Sequence, residues 1–303
     1  MFAANSILVT VLAGAVAGGT SILYGALGEV ISERAGVINV GTEGTMLVGC
    51  LASFATCVHT GNAWLGALAG MAAGAALAAV HAWLVVSRGA SQLATGLALM
   101  FLALGITSLY GAPYVSSNIT GFPTVRIPGL ASIPVLGPML FEHDALVYVS
   151  YALVPLVWLL LFRTRWGLLL RTAGERPEAL RAYGVSPGVV RTVAVVLGGA
   201  LAGLGGTQLA TALSLTWSEG MTAGRGFIAV ALVIFAAWTP IRALAGAWLF
   251  GAAITLGNVL QAHGYHVNQF ILDALPYLLT LGVLVVLLRR RRQFAPEALG
   301  QSL

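Results

Sequence analysis

The sequence predicts an all-α, polytopic integral membrane protein. The expectation is about eight to ten transmembrane helices in a single transmembrane domain, 1–303, with one or more re-entrant or broken segments. Three observations carry it. Of the 303 residues, 58% are hydrophobic and only 8% are charged. The mean hydropathy is +0.92. Soluble domains carry about 25% charged residues, so this chain could not cover a water-facing surface. The apolar runs are long and show no period-two alternation. In lipid every backbone polar group must be satisfied internally, and runs of about twenty residues do this as helices, whereas a barrel would alternate.

Length and hydropathy place spans near 5–28, 44–60, 62–86, 93–115, 145–162, 192–213, 227–239, 243–262 and 269–288. The seventh is short for about 30 Å of hydrocarbon and reads as a helix that starts earlier or is broken. The segment between the first two, "GEVISERAGVINVGTEG", holds Glu29, Glu33, Arg34 and Glu43 in a chain with ten acidic residues. Its glycines at 28, 36, 41 and 44 argue against a continuous helix. It reads as a loop or as a re-entrant stretch lining a cavity, where irregular backbone is tolerated. Glu33 and Arg34 fit a solvated loop pair. Asn39 and Glu43, four apart, would share a face if that stretch were helical. A carboxylate at the start of a span is expensive unless it meets water or a partner.

All fifteen basic residues are arginine, and the formal net charge is +5. The absence of lysine excludes a Walker A phosphate loop and a Schiff-base mechanism. Arg289, Arg290, Arg291 and Arg292 follow the last span, which predicts a cytoplasmic C-terminus by the positive-inside rule. Counting back places Arg34, Arg88, Arg242 and the arginines of 163–191 on the same side and leaves Arg126 and Arg225 outside. No basic residue precedes Arg34, so a cleavable signal peptide is not expected.

Two loops are long. Segment 116–144 is predicted external, and its prolines at 123, 128, 134 and 138 deny it a long helix. Segment 163–191 is predicted cytoplasmic. Within it, Pro177 near a first turn, Glu175 and Glu178 at the positive dipole end, Gly184 at C′ and Pro187 beyond define a helix of about two turns. Ala179, Leu180 and Tyr183 are expected on one face, suited to the membrane surface or a docked partner.

The remaining polar residues within spans are Gln92, Thr95, Gln208, Thr211, Asn258 and Asp273. Asn39, Glu43, Gln92, Gln208, Asn258 and Asp273 together suit a path for a neutral polar solute. An ion pump would need more buried charge. No catalytic constellation and no metal-ligand spacing among the histidines is present. Cys50 and Cys57 read as packing residues. Nothing suggests nucleic-acid binding. "LAGAVAGGTS" at 12–21 echoes "LAGLGGTQ" at 201–208, which reads either as a trace of two related halves or as small residues that bring helices close.

Three segments, in order, resemble permease subunits of bacterial ABC importers, from the group handling simple sugars, nucleosides and branched-chain amino acids. They are "GEVISERAGVINVGTEGTMLVG", "GERPEALRAYGVSPGVVR" and "GRGFIAVALVIFAAWTP", and the first and third are similar to the nucleoside-like branch. Thr42 stands where that pattern has a bulkier apolar residue, and Ala236–Ala237 stand where it has glycine and a basic residue. The resemblance implies several things together. The chain is a transport subunit in the bacterial cytoplasmic membrane, not an enzyme, and most naturally moves a nucleoside. It binds no cofactor; ATP is used by a separate ABC ATPase. Its partners are that ATPase, a second and longer permease, an external substrate-binding protein and membrane lipid. Glu175, Pro177, Glu178, Ala179, Leu180, Tyr183 and Gly184 fall in the segment that couples to the ATPase. A simple-sugar or branched-chain amino acid permease, an ion-coupled secondary transporter and a membrane enzyme are the competing readings.

Overall fold

The computed structural model describes residues 2–264 and 295–300, with single positions at 274, 278, 281, 282 and 285. The expected last span, 269–288, with Asp273, lies almost wholly outside the described residues. Six helices among the described residues are long and apolar enough to cross a membrane: Ile7–Arg34, Ala63–Ser87, Gln92–Tyr114, Ala145–Arg163, Pro187–Ser214 and Pro240–Ala262. The chain is an all-α multi-pass membrane protein.

The helices run in chain order as α1 (Phe2–Arg34), α2 (Thr42–Thr60), α3 (Ala63–Ala82), α4 (Gln92–Gly111), α5 (Leu136–Leu140), α6 (Ala145–Arg163), α7 (Arg165–Glu175), α8 (Pro177–Ala182), α9 (Pro187–Gln208), α10 (Arg225–Phe235) and α11 (Pro240–Ala262). π-helical turns extend α3 through Ser87 and α9 through Ser214. The long loop of 116–144 holds a two-stranded antiparallel ribbon, β1 (Thr124–Arg126) and β2 (Glu142–Asp144). Its prolines leave room only for the five-residue α5.

The boundaries follow local chemistry. The Asn62 side chain accepts from the backbone of Trp64 and Leu65 and starts α3. Asp144 does the same for α6 and Thr164 for α7. Such caps satisfy donors that a helix cannot pair internally. Proline begins α8, α9 and α11.

Glycine decides the packing. α9 lies against α1, α2 and α3. Hydrophobicity gives helices in lipid little reason to associate, so close backbone approach and dispersion hold them. Gly28 of α1 meets Gly198 of α9 so closely that a Cβ at Gly28 would sit 2.3 Å from the Gly198 carbonyl oxygen. Gly49 and Gly74 approach Gly203 in the same way, and Gly19 approaches Ala247 of α11. The two glycine stretches that echo each other are thus both packing surfaces. Tyr24, fully buried, donates to the Leu146 carbonyl at 2.6 Å and ties α1 to α6.

This corrects the expectation that glycine breaks the chain at residue 28. Gly28 is inside α1, which continues to Arg34, and only 35–41 is non-helical. The glycine is there for a neighbour and not for a turn. The turn glycine is Gly36, at φ +95°.

Candidate functional site

The carboxylates of the first apolar block are inside the protein. Glu29, Glu33 and Glu43 are 3%, 2% and 7% exposed. Burial of a carboxylate costs several kcal/mol unless hydrogen bonds replace its water. Each of the three has such bonds, and each joins a different pair of elements.

Glu29, five residues before the end of α1, accepts from the Asn39 backbone at 3.3 Å and from the Thr42 hydroxyl. That hydroxyl also faces the Asn39 carbonyl at 2.7 Å, so its single proton serves one acceptor at a time. The Asn39 side chain turns back to accept from Gly41. Ile38 donates to the Gln92 side chain at 2.8 Å and its carbonyl faces His81 Nε2 at 3.1 Å. Segment 35–41 is therefore pinned to α1, α3 and α4. A half-open cavity of about 560 Å³ lies beside it, lined by Ile38, Val40, Val85, Ser91, Gln92 and Gly300 among others.

Glu33 accepts from the Trp238 indole at 2.7 Å, and Arg34 Nε donates to the Trp238 carbonyl at 3.3 Å. The two residues read as a solvated loop pair instead grip, side by side, the turn between α10 and α11. In that turn Ala237 and Trp238 both take left-handed backbone, φ +48° and +54°. Left-handed backbone costs a side-chain-bearing residue roughly 1–2 kcal/mol. It persists here because Trp238 is held at both its ring and its carbonyl.

Glu43 reaches furthest. One carboxylate oxygen accepts from the Thr222 hydroxyl at 2.6 Å and the Gly224 backbone at 2.8 Å. The other accepts from the Gly226 backbone at 2.6 Å. Gly226 has no space for a side chain, because a Cβ would lie 2.3 Å from Glu43 Cα. Glu43 thus caps the N-terminus of α10 from another helix. α10 has 11 residues and rises about 16 Å, half the hydrocarbon thickness. Its far end is fixed at Trp238, level with the Arg34 end of α1. Its N-terminus accordingly lies about 16 Å from that turn, half a hydrocarbon thickness along the bundle. The chain reaches that point through 215–224, which starts beside the other end of α4, where Trp217 packs on Gly111. The seventh span, read as one that starts earlier or is broken, is an 11-residue helix that begins at Arg225 and is too short to cross a membrane alone.

The predicted path residues do not form one cluster. Asn39 and Gln92 meet through segment 35–41, while Glu43 turns to α10, so Asn39 and Glu43 share no helix face. Gln208 is fully buried and donates to the Ala17 carbonyl at 3.2 Å, with Asp144 at 3.5 Å; it braces α9 against α1 and α6. Asn258 is exposed on the outside of α11. Asp273 lies outside the described residues.

The helix read at 176–183 is present as α8, with Gly184 at φ +74° after it. Its expected apolar face divides. Leu180 is 3% exposed and belongs to the core, whereas Tyr183 is 87% exposed. Pro177 is buried with Leu180, and Ala179 is half-buried. Leu180 anchors α8 to its own chain, so it is not available to a partner. Glu175, Glu178, Arg181, Tyr183 and Gly184 remain exposed. Arg191, counted among the loop arginines, is 2% exposed and donates to the Ala173 carbonyl at 3.1 Å, tying α9 to α7. Segment 295–300 adds to this corner, with Ala298 donating to the Gly174 carbonyl and Gly300 to the Gly36 carbonyl.

Sequence reading missed α7, Trp238, Thr222 and Arg191 as site residues. The signal for the buried ones was available: a glutamate or arginine beside an apolar run is costly and implies a partner. Cys50 and Cys57 are free and buried, and no metal-binding group exists among the described residues.

Residues 10–288 match a family described as branched-chain amino acid transport system / permease component. The chain belongs to this permease family. A putative glucose ABC transporter permease of Haloferax volcanii is 40% identical, covering 99% of this chain and 98% of its own. A guanosine ABC transporter permease of Bacillus subtilis is 36% identical over 92% of this chain and 91% of its own. A nucleoside ABC transporter permease of Lactococcus lactis is 34% identical, over 93% and 92%. This permease therefore shares 92–99% of its length with these glucose, guanosine and nucleoside permeases.

Proposed function

We propose that this permease moves a neutral hydrophilic metabolite, a nucleoside, inward across the cytoplasmic membrane. The observation that carries the reading is Glu43 on the N-terminus of α10. A half-helix N-terminus within the bilayer is where an anionic substrate group would bind, because its free N–H groups and dipole favour negative charge. Here the protein's own carboxylate fills that place. An amino acid would have to bring its carboxylate to an occupied site, whereas a nucleoside or sugar brings none. The relatives from B. subtilis and L. lactis support the nucleoside. The H. volcanii relative supports a second reading, a simple sugar.

ATP is hydrolysed by a separate ATPase seated on the side that bears α7 and α8. A second, different permease chain and an external substrate-binding protein complete the assembly, and the C-terminus is cytoplasmic. Exposed Glu178 and Arg181 on α8, with Tyr183 just after it, suit contact with the ATPase, while buried Leu180 passes its movement into the body of the permease. Cells expressing the complete importer should take up tritiated guanosine, with unlabelled adenosine competing and leucine not competing. Competition by glucose in place of nucleosides would favour the sugar reading, and uptake of leucine would remove both.

A further inference from the structure

Arg225, the first residue of α10, is a charged side chain that the contacts above leave unused. Its depth follows from the 11-residue length of α10, about 16 Å from the turn held by Glu33 and Arg34. A cation at a helix N-terminus meets the wrong end of the dipole. The Glu43 carboxylate, which caps the same turn, offsets that penalty, yet it makes no ion pair with Arg225 within 4 Å. A guanidinium offers five N–H donors. Nη1 reaches the Thr222 carbonyl at 3.4 Å, a weak bond, and Nε is sealed from solvent with no acceptor. The dry Nε faces the protein, as do other buried polar atoms among the described residues, so the donors open to a solute are those of the Nη groups, which the Thr222 carbonyl engages only weakly.

The surroundings indicate what that occupant is. Arg225 is only partly covered, between exposed Ala223 and exposed Phe227. The chain that leads to it displays Ser214, Thr216, Ser218 and Glu219 outward, and Glu219 accepts from Ser108 of α4. Charged and polar groups displayed on a membrane-spanning protein face water or a partner and not lipid. They form a polar track from the far end of α4 to Arg225.

We propose that Arg225 is a specificity-determining residue that hydrogen-bonds the permeating solute midway across the membrane. The planar fork suits a neutral solute with adjacent acceptors, such as the carbonyl and ring nitrogen of a nucleobase. The identity of that solute rests on the nucleoside reading; the role of Arg225 does not.

The test uses the complete importer in proteoliposomes, with this permease as wild type, Arg225→Gln or Arg225→Lys. Two quantities are measured at equal permease content: ATPase activity stimulated by the loaded binding protein, and uptake of tritiated guanosine. Arg225→Gln should keep stimulated ATPase within about twofold and lower guanosine moved per ATP by roughly tenfold, the scale of one lost charge-assisted hydrogen bond. Arg225→Lys, which keeps charge but not the fork, should fall between and serves if the glutamine variant fails to assemble. Purine riboside, which lacks the carbonyl, should respond less to either substitution. Unchanged guanosine per ATP would overturn the proposal. So would a parallel fall in ATPase and uptake, which would make Arg225 a structural residue. If the wild type carries glucose and not guanosine, the nucleoside reading fails, and the same ratio measured with glucose still decides the role of Arg225.

Discussion

Replacing Glu43 tests whether the broken helix depends on its cap. Glu43→Ala removes the acceptor of three groups at once: the Thr222 hydroxyl and the Gly224 and Gly226 backbones, at 2.6, 2.8 and 2.6 Å. Each buried donor left unsatisfied costs about 1–3 kcal/mol, so the sum is on the order of 3–9 kcal/mol if no water enters. It also leaves Arg225 without the nearby negative charge. Glu43→Gln keeps one oxygen but turns an NH₂ toward a backbone N–H, so part of the loss remains. The order of stability should be Glu, then Gln, then Ala. The assay is thermal unfolding of the detergent-purified permease, followed by size exclusion after heating, alongside uptake by the assembled importer. Both readouts should fall in that order. An alanine variant that melts with the wild type and transports normally would refute the cap. An alanine variant that melts normally but does not transport would shift Glu43 from a structural to a solute-contacting role.

Other outcomes follow from the same contacts. Trp238→Phe deletes the indole donor to buried Glu33 and should lower thermal stability by about 1–3 kcal/mol, read from unfolding of the purified protein. Gly28→Val should fail to accumulate in membranes, because its side chain would meet the Gly198 backbone; a serine or alanine there should already reduce yield, and normal yield from valine would contradict the α1–α9 contact. Leu180→Asp places a charge in the core and should reduce permease level itself. Tyr183→Asp, on an exposed side chain, should spare permease level and weaken recovery of the ATPase on co-purification; equal recovery would remove Tyr183 from the docking surface.

The sequence disclosed what depends on neighbours along the chain. Composition and run length identify a helical membrane protein. Pro177, Gly184 and Pro187 delimit α8 to within a residue or two, because caps and stops are local. The shortness of the 227–239 run pointed to a helix that starts earlier or is broken, and the helix there has 11 residues from Arg225. What it concealed depends on partners far away in sequence. Glu33 meets Trp238 and Glu43 meets Gly226, each across about two hundred positions. Neither end carries a mark of the other. Gly28 misled for a related reason: glycine serves both turns and close packing, and only the presence of Gly198 decides between them. The same holds for Leu180 and Tyr183, whose spacing permits a shared face but whose burial is set by how α8 lies on α9. Among the path candidates, Gln208 and Asn258 look alike as polar residues in apolar runs, and only packing separates an internal brace from an outward side chain.

The central claim is ATP-driven inward movement of a nucleoside through this permease, and its most direct test is transport by purified components. The permease, its ATPase, the second permease and the binding protein are reconstituted with the binding-protein side facing the lumen and preloaded with tritiated guanosine. Release of guanosine to the medium should require ATP, should proceed in the presence of a protonophore and a sodium ionophore, and should stop when the ATPase is inactivated. Guanosine movement that persists without ATP and collapses with the ionophores would identify an ion-coupled carrier and contradict the account.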